Sequence, residues 1–234
     1  MKRRQLGSLA LALVLALSMA PAAPPAHTSS DRPLGPETFI YHWDLRKLAS
    51  LLGGILVPGQ GTGRLTYEKR PNGNLTSELL ITSKRSAEGE FWRYGAEIDP
   101  RLGRTVRAWS SYFWRGKMKS QSAEIDEAGV IDVASGIYQI RRDPPTETRR
   151  MRIWSDGRIY PVEVEPMGEE MRKLPGGDRV QTRHYVIRGL DLPGERQWKG
   201  EIELWLAEDE VATPVEIRYD RSLMGVRLRL AAEH

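Results

Sequence analysis

Apolar and polar side chains alternate with a period of two along most of this chain. Val226, Leu228 and Leu230 are interleaved with Arg227 and Arg229, and Val215, Ile217 and Tyr219 with Glu216 and Arg218. Such alternation puts one side of a strand in a core and the other in water. Interrupted by Gly, Pro, Asn-Gly and Asp-Gly, it predicts strands over 64–69, 76–83, 91–98, 105–114, 117–124, 149–155, 158–165, 179–188, 198–206, 211–219 and 225–230. Asp156-Gly157 is the clearest hairpin signal. Phe39, Tyr41 and Trp43 alternate in the same way and predict an earlier strand.

Two segments follow a helical period instead. Asp44 is placed to cap a short helix with Leu45, Leu48 and Leu52 on one face and Gly53-Gly54 at its end. Asp132 is placed to cap a second helix, with Val133, Ile137 and Ile140 apolar and Asp143-Pro144-Pro145 stopping it. About a dozen strands with short turns imply an antiparallel sheet, and a sheet that large must curl, close or split. The expected fold is therefore mainly β: a curved antiparallel sheet or half-open β-barrel, with one short helix against the concave side. No fixed-period repeat points to a solenoid or propeller.

The N-terminus reads differently. Lys2, Arg3 and Arg4 precede an uncharged Leu- and Ala-rich run from Leu6 to Ala20, followed by Pro21 and Ala22. Basic start, short apolar run and small-residue exit are the features of a secretory signal peptide over 1–22. Spanning a bilayer takes about 20 apolar residues, so an uncleaved anchor is the lesser alternative. Residues 23–37, rich in Pro, Ala and Ser, read as a flexible linker, and 38–234 as a single antiparallel β domain. The expected location is periplasmic or secreted, not membrane-spanning after cleavage.

Charge then changes meaning. The chain carries 35 basic and 31 acidic residues, but removing Lys2, Arg3 and Arg4 with the signal leaves a net charge near +1. A nucleic-acid partner loses its main support. Zero cysteines exclude disulfides, Cys-ligated zinc and thiol catalysis.

Candidate chemistry is sparse. His42 and His184 are far apart in sequence, in neither a zinc-ligand spacing nor a Ser-His-Asp arrangement with a nucleophile elbow. Gly59-Gln60-Gly61-Thr62-Gly63 precedes a strand rather than a helix, so it reads as a turn and not as a phosphate loop. Glu124, Asp126 and Glu127 read as a solvated turn. No catalytic residue, metal ligand or cofactor is assigned.

The seven tryptophans, against three phenylalanines, are the unusual feature. Trp109 and Trp154 are expected on inward strand faces, whereas Trp205 lies between Leu204 and Leu206 and has no assigned face. They either fill a core, each indole N–H bonded, or line an apolar cavity with a few polar groups. Arg141, at the helix end, is placed to meet an anionic headgroup or a structural carboxylate. The candidate ligand-binding residues are Trp109, Tyr138, Arg141, Trp154 and Trp205.

The order of several motifs resembles the bacterial domain-of-unknown-function family 3108, a family of exported proteins. The matching residues are Asp132 with Ser135, Tyr138 and Arg141; Trp154 to Gly157 followed by Val162-Glu163-Val164; Glu170 followed by Leu174-Pro175-Gly176-Gly177; and Leu204-Trp205-Leu206, Asp209, Pro214-Val215, Gly225 and Leu228. They span about Gly61 to Leu230. The resemblance implies a curved antiparallel β fold, similar to that of envelope carriers of lipoproteins and lipids, and implies no established reaction.

Together these features favour a non-enzymatic cell-envelope protein that binds or carries a hydrophobic or lipid-like ligand. The alternative is a structural or assembly module binding another envelope protein through an exposed face or sheet edge. An exported glycan hydrolase would need two placed carboxyl groups, and an outer-membrane barrel would need longer strands.

Overall fold

The structure, a computed structural model, describes residues 35–45, 60–83, 89–101, 104–221 and 224–231. Six strands come first: β1 (Glu37–Leu45), β2 (Gln60–Lys69), β3 (Leu75–Ser83), β4 (Phe91–Asp99), β5 (Arg104–Trp114) and β6 (Lys117–Glu124). A two-residue β7 (Val130–Ile131) leads into helix α1 (Val133–Arg142). Then follow β8 (Arg149–Ser155), β9 (Arg158–Lys173), β10 (Arg179–Gly189), β11 (Gly200–Ala207), β12 (Pro214–Arg221) and β13 (Met224–Leu230). All thirteen join one sheet in the order β6-β5-β4-β3-β2-β1-β13-β12-β11-β10-β9-β8-β7. Among the described residues only the short β7–β8 pair is parallel. The Asp156-Gly157 hairpin forms as expected, both residues left-handed at φ 50° and 76°.

One face of the sheet supplies the core. Tyr41, Leu65, Leu79, Ile98, Val164, Ile187, Leu204, Ile217 and Leu228 come from strands on both arms and share one buried cluster with α1. Contact between arms so far apart in strand order requires the sheet to roll up with this face inside. Eight of the ten helix residues are buried, so the sheet encloses the helix rather than merely carrying it.

The roll ends in an overlap, not a ladder. Ile131 and Ile153 point into the main core, so Val130 and Trp154 point out of it. Those two pack against Ala108 and Ala123, which lie on the concave side of β5 and β6, and against Ile125. The inner surface of one end of the sheet thus covers the outer surface of the other, and the sheet is not closed by backbone pairing among the described residues.

Several expected boundaries move. The proposed signal peptide, 1–22, and all of the proposed linker before residue 35 lie outside the described residues. Glu37 opens β1. Asp44 and Leu45 belong to β1, where Asp44 holds Arg227 and Arg229 at 3.0 and 2.6 Å; the rest of that expected helix lies outside the described residues. Strand β9 runs on to Lys173, and Trp198 sits in the loop before β11 instead of within it.

A helix that starts inside a core must satisfy its first N–H groups without water. At the start of α1, Asp132 accepts from the Ser135 N–H at 2.7 Å, while the Ser135 hydroxyl accepts from the Asp132 N–H at 2.8 Å. At the other end, Arg141 is fully buried. Its Nε donates to the Ala212 carbonyl at 3.0 Å, and Nη2 to the Val211 carbonyl and the Glu37 carboxylate, each at 2.7 Å. The guanidinium also lies 4.7 and 5.2 Å from the Phe39 and Tyr67 ring centroids. Arg141 therefore ties the helix to β1 and to the β11–β12 connection, with a structural carboxylate as its anion.

Glu37→Gln should destabilise the fold by about 2 kcal/mol in urea unfolding, less than for a fully enclosed pair because Glu37 keeps some solvent contact. A neutral Glu37→Gln would show that the pair is not holding the roll.

Burial pushes the Asp132 carboxyl up from 3.8 to about 6, against the pull of its cap hydrogen bonds. Below the lower value both folded and unfolded chains hold the proton; between the two, the unfolded chain releases it first. This residue's contribution to stability therefore falls as pH rises from about 4 to about 6, on the order of 3 kcal/mol in total, and is constant above. The stability of Asp132→Asn relative to the unaltered chain should rise over the same window, measured by unfolding at a series of pH values. A pH-independent difference would refute the assignment.

Candidate functional site

Antiparallel pairing brings the last residues of β1, β3, β5, β8, β10 and β12 to one end of the roll, here called the upper end. Helix α1 fills the lower part, where its Arg142 reaches the Pro100 carbonyl beyond β4. On the concave side near the upper end, several large apolar residues keep partial solvent access. Trp92 and Tyr94 face inward because they pair with Ile81 and Leu79, two core residues. Tyr112 pairs with Trp92, and Trp114 lies two residues further along the same face. Tyr160 and Tyr219 approach from the other arm, half-buried like the rest.

Three rings at this end touch in series along an aromatic wall. Trp43 meets Trp92 edge-on at 6.4 Å between centroids, and Trp92 leans on Trp114 at 5.3 Å. The Trp43 indole N–H donates to the Thr82 carbonyl at 2.8 Å, so its seat is fixed. Gly61 makes that seat possible: a Cβ there would lie 2.3 Å from the Trp43 Nε1 and 1.9 Å from the Thr82 oxygen. The rim is cationic. The Arg115 guanidinium lies 5.6 Å from the Trp114 ring centroid and the Lys119 ammonium 5.9 Å from that of Tyr112. Aromatic faces with partial access beside cations suit an apolar body carrying a negative group.

The five residues singled out in sequence do not meet at this wall. Tyr138 is buried on α1 against Tyr67, 5.4 Å between centroids, and Arg141 is spent on Glu37. Trp154 seals the overlap of the sheet ends. Trp109 points outward, contrary to expectation. Its neighbours Ala108 and Ser110 take the inner face, and its ring lies over Gly95, where a Cβ would come within 2.6 Å. Trp205 also points outward, since Leu204 and Leu206 both belong to the main core. What sequence reading missed are Trp92, Tyr94, Tyr112 and Trp114. The available signal was their spacing of two on the paired strands β4 and β5.

Trp205 is nonetheless only 1% exposed, because charged neighbours cover it. The guanidinium carbons of Arg172 and Arg218 lie 4.0 and 4.3 Å from its centroid, and His184 stacks on it at 4.2 Å. Its indole N–H donates to the Glu170 carboxylate. Arg172 reaches Glu170 at 2.9 Å, Arg218 reaches Glu216 at 2.6 Å, and the His184 Nε2 lies 3.2 Å from Glu203. Burial raises Glu170, but the Trp205 donor, Arg172 and His184 together bring it below its ordinary value. Burial and Arg172 hold His184 below the usual histidine value against the pull of Glu203 and Glu170. The cluster is an ion-pair plate on the convex face. Glu201, Glu203 and Asp220 bring carboxylate oxygens within 4.8 Å of one another, but Glu203 is already engaged by His184 and Arg218.

A shallow pocket of about 270 Å³ lies at the lower end, lined by Pro144, Arg183, Tyr185, Leu206, Glu208 and Ala212 among others. It falls below the roughly 300–1,000 Å³ usual for small-molecule sites, and an Arg183–Glu208 pair at 2.9 Å adjoins it.

The β-barrel-like protein of domain of unknown function DUF1849 from Brucella abortus is similar in fold, at a TM-score of 0.54 and 11% identity. It covers 85% of this chain and 96% of its own. LprF from Mycobacterium bovis aligns over 84% of this chain and 85% of its own at 12% identity, but its TM-score of 0.31 adds nothing to the assignment. No curated protein matches the chain. Among the described residues no helix is long and apolar enough to cross a membrane. The profile described as Protein of unknown function (DUF3108) matches residues 100–231, more than half of the chain. It takes in α1, the overlap sealed by Trp154 and the Glu170–Trp205 contact, and the chain belongs to the DUF3108 family.

Proposed function

We propose that this chain is a non-enzymatic cell-envelope protein, periplasmic or secreted, that holds a hydrophobic or lipid-like ligand at the upper end of its rolled sheet. The observation that carries the reading is the inward-facing, half-buried wall of Trp92, Tyr94, Tyr112 and Trp114. Elsewhere the concave side is occupied by buried side chains and α1, which leaves the upper end as the place for a guest. The N-terminal signal features support export. Arg115 and Lys119 beside the wall favour a guest with an anionic group over a neutral one.

Mature protein purified from its own envelope fraction should carry a near-stoichiometric apolar molecule, detected by native mass spectrometry and identified after solvent extraction. Palmitate titrated into delipidated protein should change the tryptophan fluorescence. Replacing both Trp92 and Trp114 with Ala should weaken palmitate binding by at least about tenfold, the loss of one well-buried aromatic contact at minimum. An empty wild-type protein that palmitate does not perturb, or palmitate binding unaffected by the double replacement, would overturn the reading.

A further inference from the structure

The two ends of the sheet are finished in opposite ways. Strand β7 is two residues long, and both are buried, with exposures of 1% and 0%. Strand β6 is eight residues long, and six of the eight are exposed. Its pairing with β5 runs without a register break from Lys117 to Glu124. It contains no proline, and no strand pairs with its far side among the described residues. Native proteins usually blunt such an edge with a bulge, a proline, a cover or a charge. Here only charge is used.

The direction of the free backbone groups follows from the turn. Arg115 and Gly116 are both left-handed, at φ 49° and 70°, so the β5–β6 hairpin closes with a two-residue loop. Trp114 and Lys117 then form a hydrogen-bonded pair, and every second residue of β6 bonds back to β5. The bond from the Ile125 N–H to the Val106 carbonyl, 2.9 Å, continues the same phase beyond the end of the strand. Met118, Ser120, Ser122 and Glu124 therefore point their N–H and C=O groups away from β5.

The side chains near the tip indicate what would add to this edge. Arg115, Lys117 and Lys119 cluster at the hairpin end, and Met118 is 60% exposed beside them. We propose that β6 is an interaction edge that receives an extended acidic segment of a partner protein as an added strand. Main-chain bonds to Met118, Ser120 and Ser122 would supply affinity. Acidic residues at alternate positions, on the face that carries Lys117 and Lys119, would supply selectivity. The cationic face of this edge adjoins the aromatic wall, with Lys119 beside Tyr112, but the free backbone groups of β6 are no part of the wall, so slowed exchange along β6 tells this proposal apart from the ligand reading.

The test uses the full mature chain and fluorescein-labelled eight-residue peptides of alternating Glu and Val, with alternating Lys and Val as the counterpart, followed by anisotropy. The Glu-Val peptide should bind at least about tenfold more tightly than the Lys-Val peptide, and added salt should narrow the gap. Hydrogen exchange should slow at the Met118, Ser120 and Ser122 amides when the acidic peptide is present. Ser120→Pro removes one outward donor without touching the β5–β6 ladder, and should weaken binding about tenfold. The doubly substituted Lys117→Glu, Lys119→Glu chain, altered only at exposed side chains, should reverse the preference between peptides. Equal binding of both peptides, or acidic-peptide binding with no slowing of exchange along β6, would overturn the proposal.

Discussion

A short helix that starts inside a rolled sheet has no water at its first turn, and that constraint organises this molecule. The free N–H groups at the start of α1 must be met locally, and Asp132 with Ser135 meets them at the cost of burying a carboxyl group. At the far end, Arg141 occupies the carbonyls of Val211 and Ala212 and the carboxylate of Glu37. Those three partners lie on the first strand and on the β11–β12 connection, far apart in sequence. The helix is thereby fixed in the lower half of the roll, which leaves the concave aromatics of the upper half without a helix against them. The partial exposure of Trp92 and Trp114 follows from where the helix is held.

The convex face shows a different solution to burying a large ring. Trp205 is covered by Arg172, Arg218 and His184 rather than by a second layer of structure. Long charged side chains can shield apolar area while keeping their heads near water, and the facing carboxylates of Glu170, Glu203 and Glu216 balance them. The bulge between His184 and Tyr185 accompanies this plate. Opposite it β9 carries Met167 as the extra residue, followed by Gly168 at φ 106°, a conformation that favours glycine. Glu170 and Trp205, distant family-signature residues in sequence, are here in direct contact, which gives that part of the signature a structural meaning.

Alternation made the strands legible, because each one has to keep one side out of water. It gave parity within a strand but not the absolute direction of a tryptophan. On β5 the inner positions are small, Ala108 and Ser110, because the overlap leaves little room there, and the large Trp109 goes outside. On β8, Ile153 and Trp154 are both buried on opposite faces, since the overlap covers the outer one. On β11, three successive apolar residues hide the parity altogether. The helix was legible from its cap and its apolar spacing, yet the role of Arg141 depended on Glu37, 104 positions away, which no local pattern shows. Trp92 and Tyr94 were overlooked for a related reason: their facing is set by pairing to Ile81 and Leu79 on the neighbouring strand.

The overlap also explains why β6 is left as an edge strand among the described residues. A closed barrel would need β6 to pair with β7 along its length, and β7 offers only two residues before Asp132 must turn to cap α1. The gap is bridged by side chains instead. Burying Trp154 against Ala108, Ile125 and Val130 is worth about 3–5 kcal/mol if judged by the usual effect of deleting such a ring. A few additional ladder bonds, at about 1 kcal/mol each net, would contribute no more. Closure by packing is therefore no weaker than closure by pairing, but it leaves the backbone of β6 unpaired. The same cap that makes an enclosed helix tolerable thus limits β7 and leaves an edge strand on the surface, where cations near its tip select what can join it.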